Sequence, residues 1–364
     1  MNRGALAAVV VALLVVAGLV GVLEFAPGLL TGSHAAGRGG PGPTNGSVNA
    51  TNGTIAFTSS VDGHPLSYAI WYPPNYDAQA SHTFVLFLHG VESSNECANV
   101  PSYTGGASLI NAATGAGWVV GSMCTRVADG WYVNSPSTGP EETDVLDAIA
   151  HEKTLTHVTD VYLVGMSMGS DGALSIATNH PGLVAGVAAV ATCADFYEEA
   201  AYYSHAHGVL PPGFAQVAGV GPGVFPEAGS VGFGLEYHLS AFRFYPENLS
   251  ATRLYIVAGG EDQTCIDNTQ FWPWMQANNT VLTASCNVAA ASFEPNDCST
   301  PIASLAASHS GEFLCRFVYE PASPHTFDQL NGADLVAFFE GQVGTGTFNA
   351  PVGGTPTPVD GVQA

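Results

Sequence analysis

Short apolar runs alternate with helix-like segments through the middle of the chain, and this alternation constrains the fold more than any other feature. Continuous apolar runs such as TFVLFLHG (83–90) and DVYLVG (160–165) are typical of strands buried on both faces of a sheet. EETDVLDAIAHEKTL (141–155) and SMGSDGALSIATNH (167–180) are instead expected to be helices. We therefore predict an α/β fold in which helices cover both faces of a mostly parallel sheet. The other predicted strands are SYAIWYPPNY (67–76), GWVVGSMC (117–124), GVAAVATC (186–193), RLYIVAGG (253–260) and FLCRFVYE (313–320).

The composition changes at both ends of this middle part. Residues 31–54 and 341–364 are rich in Gly, Pro, Asn and Thr and contain few large apolar side chains. Such segments cannot bury enough apolar surface to fold alone. We expect a flexible linker over 31–54, one folded domain over 55–340 and a disordered tail over 341–364. Within the domain, residues 200–248 break the alternation and are expected to form an inserted cap.

The N-terminal segment, residues 1–30, contains an uncharged apolar stretch from Ala5 to Leu23. This stretch is long for the core of a signal peptide and about the length of a single membrane span. Ser33-His34-Ala35 has the small-x-small pattern of a cleavage site, so a cleaved signal stays an alternative to the favoured uncleaved anchor. Both interpretations place the rest of the chain outside the cell. Glycosylation sequons fit export; they begin at Asn45, Asn49, Asn52, Asn248 and Asn278.

The charge balance excludes some classes of partner. Acidic residues outnumber basic ones 30 to 7, which gives a formal net charge of −23 at pH 7. Such a chain repels phosphate groups, so neither nucleic acid nor an anionic membrane surface is expected as a partner. The cysteines and histidines lack the close spacing of a metal site. We therefore expect no metal and no other cofactor.

Ser167 is the candidate nucleophile. It lies in GMSMG (165–169), directly after the apolar run DVYLVG and at the start of a predicted helix. A strand, a tight turn and a helix are the context of a nucleophile elbow, and Gly165 and Gly169 allow the turn to be sharp. The start of the helix would also favour developing negative charge. The alternative is a turn serine that caps the helix.

The partners of a nucleophilic serine are expected after later strands. RLYIVAGG (253–260) is followed by Glu261 and Asp262, and we choose Asp262 as the acid, with Glu261 and Asp267 as lesser candidates. His325 lies in the loop after the last predicted strand, whereas the competing His309 precedes that strand. The order Ser167, Asp262, His325 is the one expected for such a fold. His325 would take the proton of Ser167, and Asp262 would orient the imidazole.

An oxyanion hole requires two backbone N–H groups near the serine. One is expected from Met168, which follows the nucleophile directly. The other is expected from the loop after LFLHG (86–90), with Val91 preferred and its neighbour Glu92 as the alternative.

LFLHG, GMSMG, the Gly-Gly-Glu-Asp at 259–262 and the Pro-His-Thr-Phe at 324–327 together resemble the α/β-hydrolase family. YAIWYPPNY, GWYVNSPSTGPEETDV and GMSMGSDGALSIATNHP resemble more narrowly the secreted esterases related to polyhydroxybutyrate depolymerases, feruloyl and acetylxylan esterases and esterase D. The resemblance covers residues 55–340. It implies a monomeric serine esterase that acts on a small-molecule or polymer ester through an acyl-enzyme. Residues 200–248 and the cysteine-bearing segment 278–312 depart from this branch.

Two other functions stay open. A prolyl-oligopeptidase-type serine peptidase shares much of the same core, although the chain lacks the large extra domain of many such peptidases. A catalytically inactive surface binding protein could also keep the fold, but it would not need the full set of Ser, His and acid. Substrate contacts are expected from the aromatic residues Trp131, Tyr132 and Trp272, with Trp274 as a further candidate; ordinary packing is the alternative for each.

An exported chain with seven cysteines can form disulfides. With the strand order that the resemblance implies, Cys97 and Cys124 lie near the same sheet edge, and Cys193 and Cys265 follow neighbouring strands. Cys286 and Cys298 are close enough in sequence to bridge a loop. Cys315 would then be left as a buried free thiol in the last strand.

Overall fold

A computed structural model provides the structure of the chain. It describes residues 51–91, 96–192, 217–219, 238–239, 246–249, 251–259, 262, 286–290, 314–320 and 323–341. The N-terminal segment, nearly all of the linker, the tail and most of the predicted cap therefore lie outside the described residues. The same holds for Glu92, Glu261, Asp267, Trp272, Trp274 and His309.

A nine-stranded sheet forms the centre of the described part of the chain. In chain order its strands are β1 (Thr51–Thr58), β2 (Pro65–Tyr72), β3 (Ser81–Leu88), β4 (Val119–Met123), β7 (His157–Met166), β8 (Gly186–Val190), β9 (Arg253–Gly259), β10 (Cys286–Ala290) and β11 (Leu314–Glu320). Their spatial order is β1-β2-β4-β3-β7-β8-β9-β11-β10. β1 pairs antiparallel with β2, and β2 antiparallel with β4, whereas every pair from β4 to β10 is parallel. The expectation of a mostly parallel sheet is confirmed.

Side chains from the central strands fill two separate cores, one on each face of the sheet. Along β3, Phe84, Leu86 and Leu88 face the core beneath α2 (Glu141–Leu155) and α3 (Met168–Asn179), while Val85 and Phe87 face the other core. That second core is covered by α1 (Thr104–Gly115) and α4 (Gly332–Phe339). Because both faces are buried, these strands appear in the sequence as continuous apolar runs. A short ribbon of β5 (Asn134–Ser135) and β6 (Gly139–Pro140) precedes α2.

The helices predicted at 141–155 and 167–180 are present, the first with the predicted bounds and the second over Met168–Asn179. Two differences concern the start of the domain and the first helix. β1 includes residues 51–54 of the predicted linker, because its backbone completes the edge of the sheet by pairing with β2. α1 was not predicted from the sequence, since its TGGASLINAATG has two glycines in its first turn.

Three short pieces of the predicted cap are described, and each is anchored to the core beneath α2 and α3. The buried side chains of Val217 and Leu239 belong to that core, and so does Leu249, which directly follows the predicted cap. The side-chain amide of Asn248 donates to the carbonyl oxygen of Thr178 at 3.0 Å. The amide nitrogen that a glycan would modify at this sequon therefore holds the segment to α3.

The predicted bridge between Cys97 and Cys124 is present, with a Cα–Cα separation of 4.9 Å. The expectation of a free Cys315 is wrong, because Cys315 is disulfide-bonded. The expected pairs used all six other cysteines. The two expected bridges Cys193–Cys265 and Cys286–Cys298 therefore cannot both form in a chain that pairs Cys315 internally. The side chains of those four cysteines lie outside the described residues.

Among the described residues, no helix combines the length and apolar character needed to cross a membrane. The apolar stretch from Ala5 to Leu23 is not among them. Within the same described ranges, no group of three or more His, Cys, Asp or Glu side chains is arranged to hold a metal ion.

Candidate active site

Ser167 lies on a sharp turn between β7 and α3. Its backbone adopts φ 52° and ψ −124°, a conformation that side-chain-bearing residues rarely adopt. The turn is held by the Ser167 N–H, which donates to the carbonyl oxygen of Val190 on the neighbouring strand at 3.0 Å. The carbonyl oxygen of Ser167 accepts the N–H of Ser170 at 2.8 Å. Strain of this kind persists only where the surroundings fix it, and it is often found at functional sites.

Glycines make this turn possible. A Cβ at Gly165 would lie 2.1 Å from the carbonyl oxygen of Gly169, and a Cβ at Gly169 would lie 2.0 Å from that of Leu88. Gly90 lies next to the serine, since a Cβ there would lie 3.3 Å from the Cβ of Ser167. The sequence GMSMG thus allows β3, β7 and α3 to approach one another backbone to backbone.

Asp262 and His325 reach Ser167 from the loops that follow β9 and β11. His325 Nδ1 lies 2.7 Å from Asp262 Oδ2, and His325 Nε2 lies 2.8 Å from Ser167 Oγ. Asp262 is 1% exposed and the side chain of His325 is 19% exposed, so the acid is buried and the imidazole is reachable from solvent. The structure therefore brings the three residues chosen from the sequence into one hydrogen-bonded chain.

The loop that carries His325 is fixed by backbone contacts. A Cβ at Gly259, the last residue of β9, would lie 2.3 Å from the carbonyl oxygen of Ser323. The ring of Phe327 packs against that of Phe87 with centroids 4.8 Å apart. These contacts hold the segment before and after His325 against the ends of β9 and β3.

The two N–H groups expected to form the oxyanion hole belong to Met168 and Val91. Met168 is the first residue of α3, and Val91 follows Gly90, which packs on Ser167. No residue in the described part of the chain accepts a hydrogen bond from either N–H. Both donors are therefore available to a ligand, as an oxyanion hole requires.

Trp131 and Tyr132 do not line an open site, contrary to the expectation that they contact substrate. Their side chains are 4% and 1% exposed. The backbone N–H of Trp131 points at Met168 Sδ, 3.4 Å away, and the Tyr132 hydroxyl donates to the carbonyl oxygen of His89 at 3.1 Å. Both residues pack in the core behind the turn. Gly172 on α3 leaves the space that the Tyr132 ring occupies.

The backbone at Trp131 and Tyr132 is strained. Their φ values of 58° and 52° put two successive bulky residues in the left-handed region. Each such residue costs roughly 1–2 kcal/mol. The nearby contacts with Met168, His89 and Gly172 must therefore determine this conformation.

Glu141 lies behind the same loop and was not singled out in the sequence. It is the first residue of α2 and is 3% exposed. The N–H of Val127 donates to its Oε1 at 3.2 Å, and the N–H of Tyr132 lies close enough to the carboxyl group to affect its pKa. Burial raises the pKa of Glu141 from 4.5 to about 8, although the two N–H groups oppose this shift. Its sequence position is typical of an ordinary acid at a helix start.

Comparisons with known proteins give the fold a name. No protein-family model matches this chain, and no curated protein sequence matches it. A solved structure of FphF, a fluorophosphonate-binding serine hydrolase of Staphylococcus aureus, is similar with a TM-score of 0.54 at 13% identity, over 80% of this chain and 98% of that one. The chain has the α/β-hydrolase fold. The expectation drawn from LFLHG, GMSMG and the downstream motifs is therefore confirmed at the level of the fold.

Two further structures share this α/β-hydrolase fold at similar distance. An S-formylglutathione hydrolase from Agrobacterium tumefaciens matches with a TM-score of 0.53 at 14% identity, over 82% of this chain and 98% of that one. A ferulic acid esterase matches with a TM-score of 0.52 at 12% identity, over 81% of this chain and 99% of that one. Each of these proteins is covered almost completely by this chain.

Proposed function

We propose that this chain is a serine hydrolase that cleaves carboxylic esters through an acyl-enzyme, with Ser167 as nucleophile. The observation that supports this proposal is the hydrogen-bonded chain from Ser167 Oγ through His325 to Asp262, at 2.8 and 2.7 Å. A buried carboxylate on Nδ1 keeps the proton on that nitrogen. The lone pair of Nε2 then faces the serine hydroxyl, as a general base requires.

In the proposed reaction, His325 Nε2 takes the proton of Ser167 while Oγ attacks the carbonyl carbon of the ester. The N–H groups of Met168 and Val91 stabilise the resulting oxyanion. His325 then gives the proton to the departing alcohol, which leaves an ester between the acyl group and Ser167. Water, deprotonated by His325, attacks this acyl-enzyme and releases the acid and the free serine.

A carboxylic ester is the proposed substrate class because the similar structures include a ferulic acid esterase and because the sequence motifs resemble secreted esterases. We also propose that the enzyme works outside the cell, anchored by its N-terminal segment or released from it. The apolar stretch from Ala5 to Leu23 and the Cys97–Cys124 disulfide support this location, since disulfides persist in oxidising compartments.

A fluorophosphonate probe tests the nucleophile directly. The wild-type protein should be labelled at Ser167 and should hydrolyse short-chain p-nitrophenyl esters. Ser167→Ala should lose both properties, with a fall in kcat of about 10⁶-fold. Ser175→Ala is the matched control, because Ser175 is a buried serine of the same helix whose hydroxyl bonds to the carbonyl oxygen of His238.

Three outcomes would contradict this proposal in different ways. No labelling of the wild-type protein would reject the serine hydrolase, and unchanged ester hydrolysis in Ser167→Ala would reject this nucleophile. Faster cleavage of peptide p-nitroanilides than of esters would favour a peptidase. The location is tested by adding a protease to intact cells, where an epitope-tagged domain should be digested; a protected tag would contradict export.

A further inference from the structure

Five residues behind the predicted oxyanion hole form a closed ring of polar contacts. His89 Nε2 lies 3.1 Å from Thr125 Oγ1, which donates to the carbonyl oxygen of Val127 at 2.8 Å. The N–H of Val127 donates to Glu141, and the N–H of Tyr132 also lies close enough to this carboxyl group to lower its pKa. The Tyr132 hydroxyl closes the ring by donating to the carbonyl oxygen of His89.

The ring lies against both segments that carry the predicted oxyanion donors. The carbonyl oxygen of His89 belongs to the peptide group that leads into Gly90 and Val91, so the Tyr132 hydroxyl restrains the chain just before one donor. The neighbouring Trp131 N–H contacts Met168 Sδ at 3.4 Å, beside the other donor. The Tyr132 ring also packs edge-on against the His89 ring, with centroids 5.9 Å apart.

Glu141 is the part of the ring that holds the strained loop. Its carboxyl group lies so close to Gly130 that a Cβ there would be 1.7 Å from Oε2. Oε2 is buried and has no hydrogen-bond partner within the described residues, while the other oxygen receives the N–H of Val127. The carboxyl group thus clamps the loop immediately before the left-handed residues Trp131 and Tyr132.

We propose that Tyr132 and Glu141 are positioning residues for the oxyanion hole, which hold the His89–Gly90 peptide group and the side chain of Met168 in register with Ser167. This inference rests on the proposed function. It predicts that the buried loop affects the rate of the chemical step, because donors that are displaced from the developing oxyanion stabilise the transition state less. Substrate binding need not change, since neither side chain faces an open site.

The test compares two buried tyrosines that make the same kind of hydrogen bond. Tyr132→Phe removes the bond to His89, and Tyr162→Phe removes a 3.2 Å bond from its hydroxyl to the carbonyl oxygen of Phe339 in the core on the other face. Fluorophosphonate titration gives the concentration of active sites in each preparation. We expect kcat per labelled site to fall about tenfold or more in Tyr132→Phe, with KM changed less than about twofold. Tyr162→Phe should keep the wild-type kcat.

Substitutions of Glu141 give a second, independent readout. Glu141→Gln keeps the shape and an oxygen that can accept the two N–H groups, so it should keep most of the wild-type kcat. Glu141→Leu removes the acceptor and should lower kcat as Tyr132→Phe does. If Glu141→Leu does not fold, the pair of tyrosine variants still decides the question.

These experiments distinguish a failure of the positioning role from a failure of the proposed function. Wild-type kcat per labelled site in Tyr132→Phe, or an equal loss in Tyr162→Phe, would overturn the positioning role and leave the proposed function intact. Absence of labelling in the wild-type protein would overturn both.

Discussion

The carboxyl end of the sheet and the aromatic core beneath α1 and α4 are built differently. Four of the five non-glycine residues with positive φ in the described part of the chain lie at that end, at Trp131, Tyr132, Ser167 and Ala191. In the aromatic core, the Tyr162 ring instead stacks on that of Phe339 with centroids 4.2 Å apart and planes 5° apart. Trp118 also stacks on Tyr162, with centroids 5.4 Å apart.

This difference separates two roles within one molecule. Unstrained aromatic stacking contributes to the free energy of unfolding, whereas strained backbone and buried acids cost stability and are retained where geometry matters for function. Substitutions at the carboxyl end that leave the backbone in place should therefore affect kcat more than stability. Substitutions in the aromatic core should do the reverse.

The largest effect on activity, short of removing the nucleophile, is expected from Asp262→Asn. An asparagine can donate to His325 and stabilise the wrong tautomer, so kcat should fall about 10⁴-fold while the fold persists. Asp334→Asn is the matched control, because Asp334 is a carboxylate on α4 that accepts the Tyr255 hydroxyl at 2.6 Å, on the face of the aromatic core. Ester hydrolysis and urea denaturation measure the two effects, and a kcat of Asp262→Asn within tenfold of the wild type would contradict the role of Asp262.

The next effect concerns the close backbone approach at the turn. Gly169→Ala places a Cβ 2.0 Å from the carbonyl oxygen of Leu88, so α3 must move away from β3. We expect a loss of about 3 kcal/mol or more in the free energy of unfolding, together with loss of activity. Gly115→Ala at the end of α1 meets no atom within 4 Å and should stabilise the protein by up to about 1 kcal/mol. Equal stability of the two variants in urea denaturation would contradict this account.

The sequence was most informative where a local pattern and the chain order agreed. Ser167 follows a continuous apolar run and is flanked by glycines that the turn requires. Asp262 and His325 each follow a later apolar run, and parallel strands bring such loops to the same edge of the sheet. Local patterns therefore sufficed to predict seven of the nine strands of the main sheet, all but β1 and β10, and the three residues that meet at 2.7 and 2.8 Å.

The features that the sequence did not reveal depend on tertiary contacts. The glycines at the start of α1 suggest a loop, but Gly105 and Gly106 let this helix touch the carbonyl oxygens of Phe327 and Val100, 1.9 Å from where a Cβ would be. Trp131 and Tyr132 carry no local signal for left-handed backbone. Aromatic residues after a strand are equally compatible with binding and with packing, and only burial distinguishes the two.

The neighbouring acids Glu141 and Glu142 show most clearly that tertiary contacts limit prediction from the sequence. Both begin α2 and both are 3% exposed. Burial would raise the pKa of Glu142 as well, but hydrogen bonds and charges from His238 and His180 lower it below 4.5. His238 Nε2 and His180 Nε2 each lie 2.6 Å from one of its oxygens. The pKa values of these two adjacent glutamates thus shift in opposite directions, because one faces backbone amides and the other faces two histidines.

Stability should therefore depend on pH in opposite ways through these two carboxyl groups. Folded Glu141 keeps its proton up to about pH 8, whereas the unfolded chain releases it near 4.5. Its contribution is fully present below pH 4.5 and is lost as pH rises towards 8, by up to about 1.4 kcal/mol per pH unit. Folded Glu142 has a lowered pKa, so its contribution is present above pH 4.5 and is lost as pH falls below that value.

Urea denaturation of the wild type, Glu141→Gln and Glu142→Gln between pH 3 and pH 8 separates these effects. The difference between the wild type and Glu141→Gln should shrink from pH 5 to pH 8, where Asp144 and Arg126 are the nearby charges. The difference between the wild type and Glu142→Gln should shrink as pH falls below 4.5. Parallel curves for both variants would show that the pKa of neither carboxyl group is perturbed. The contrast between a neutral Glu141 that holds a loop and an ionised Glu142 that holds a segment would then be wrong.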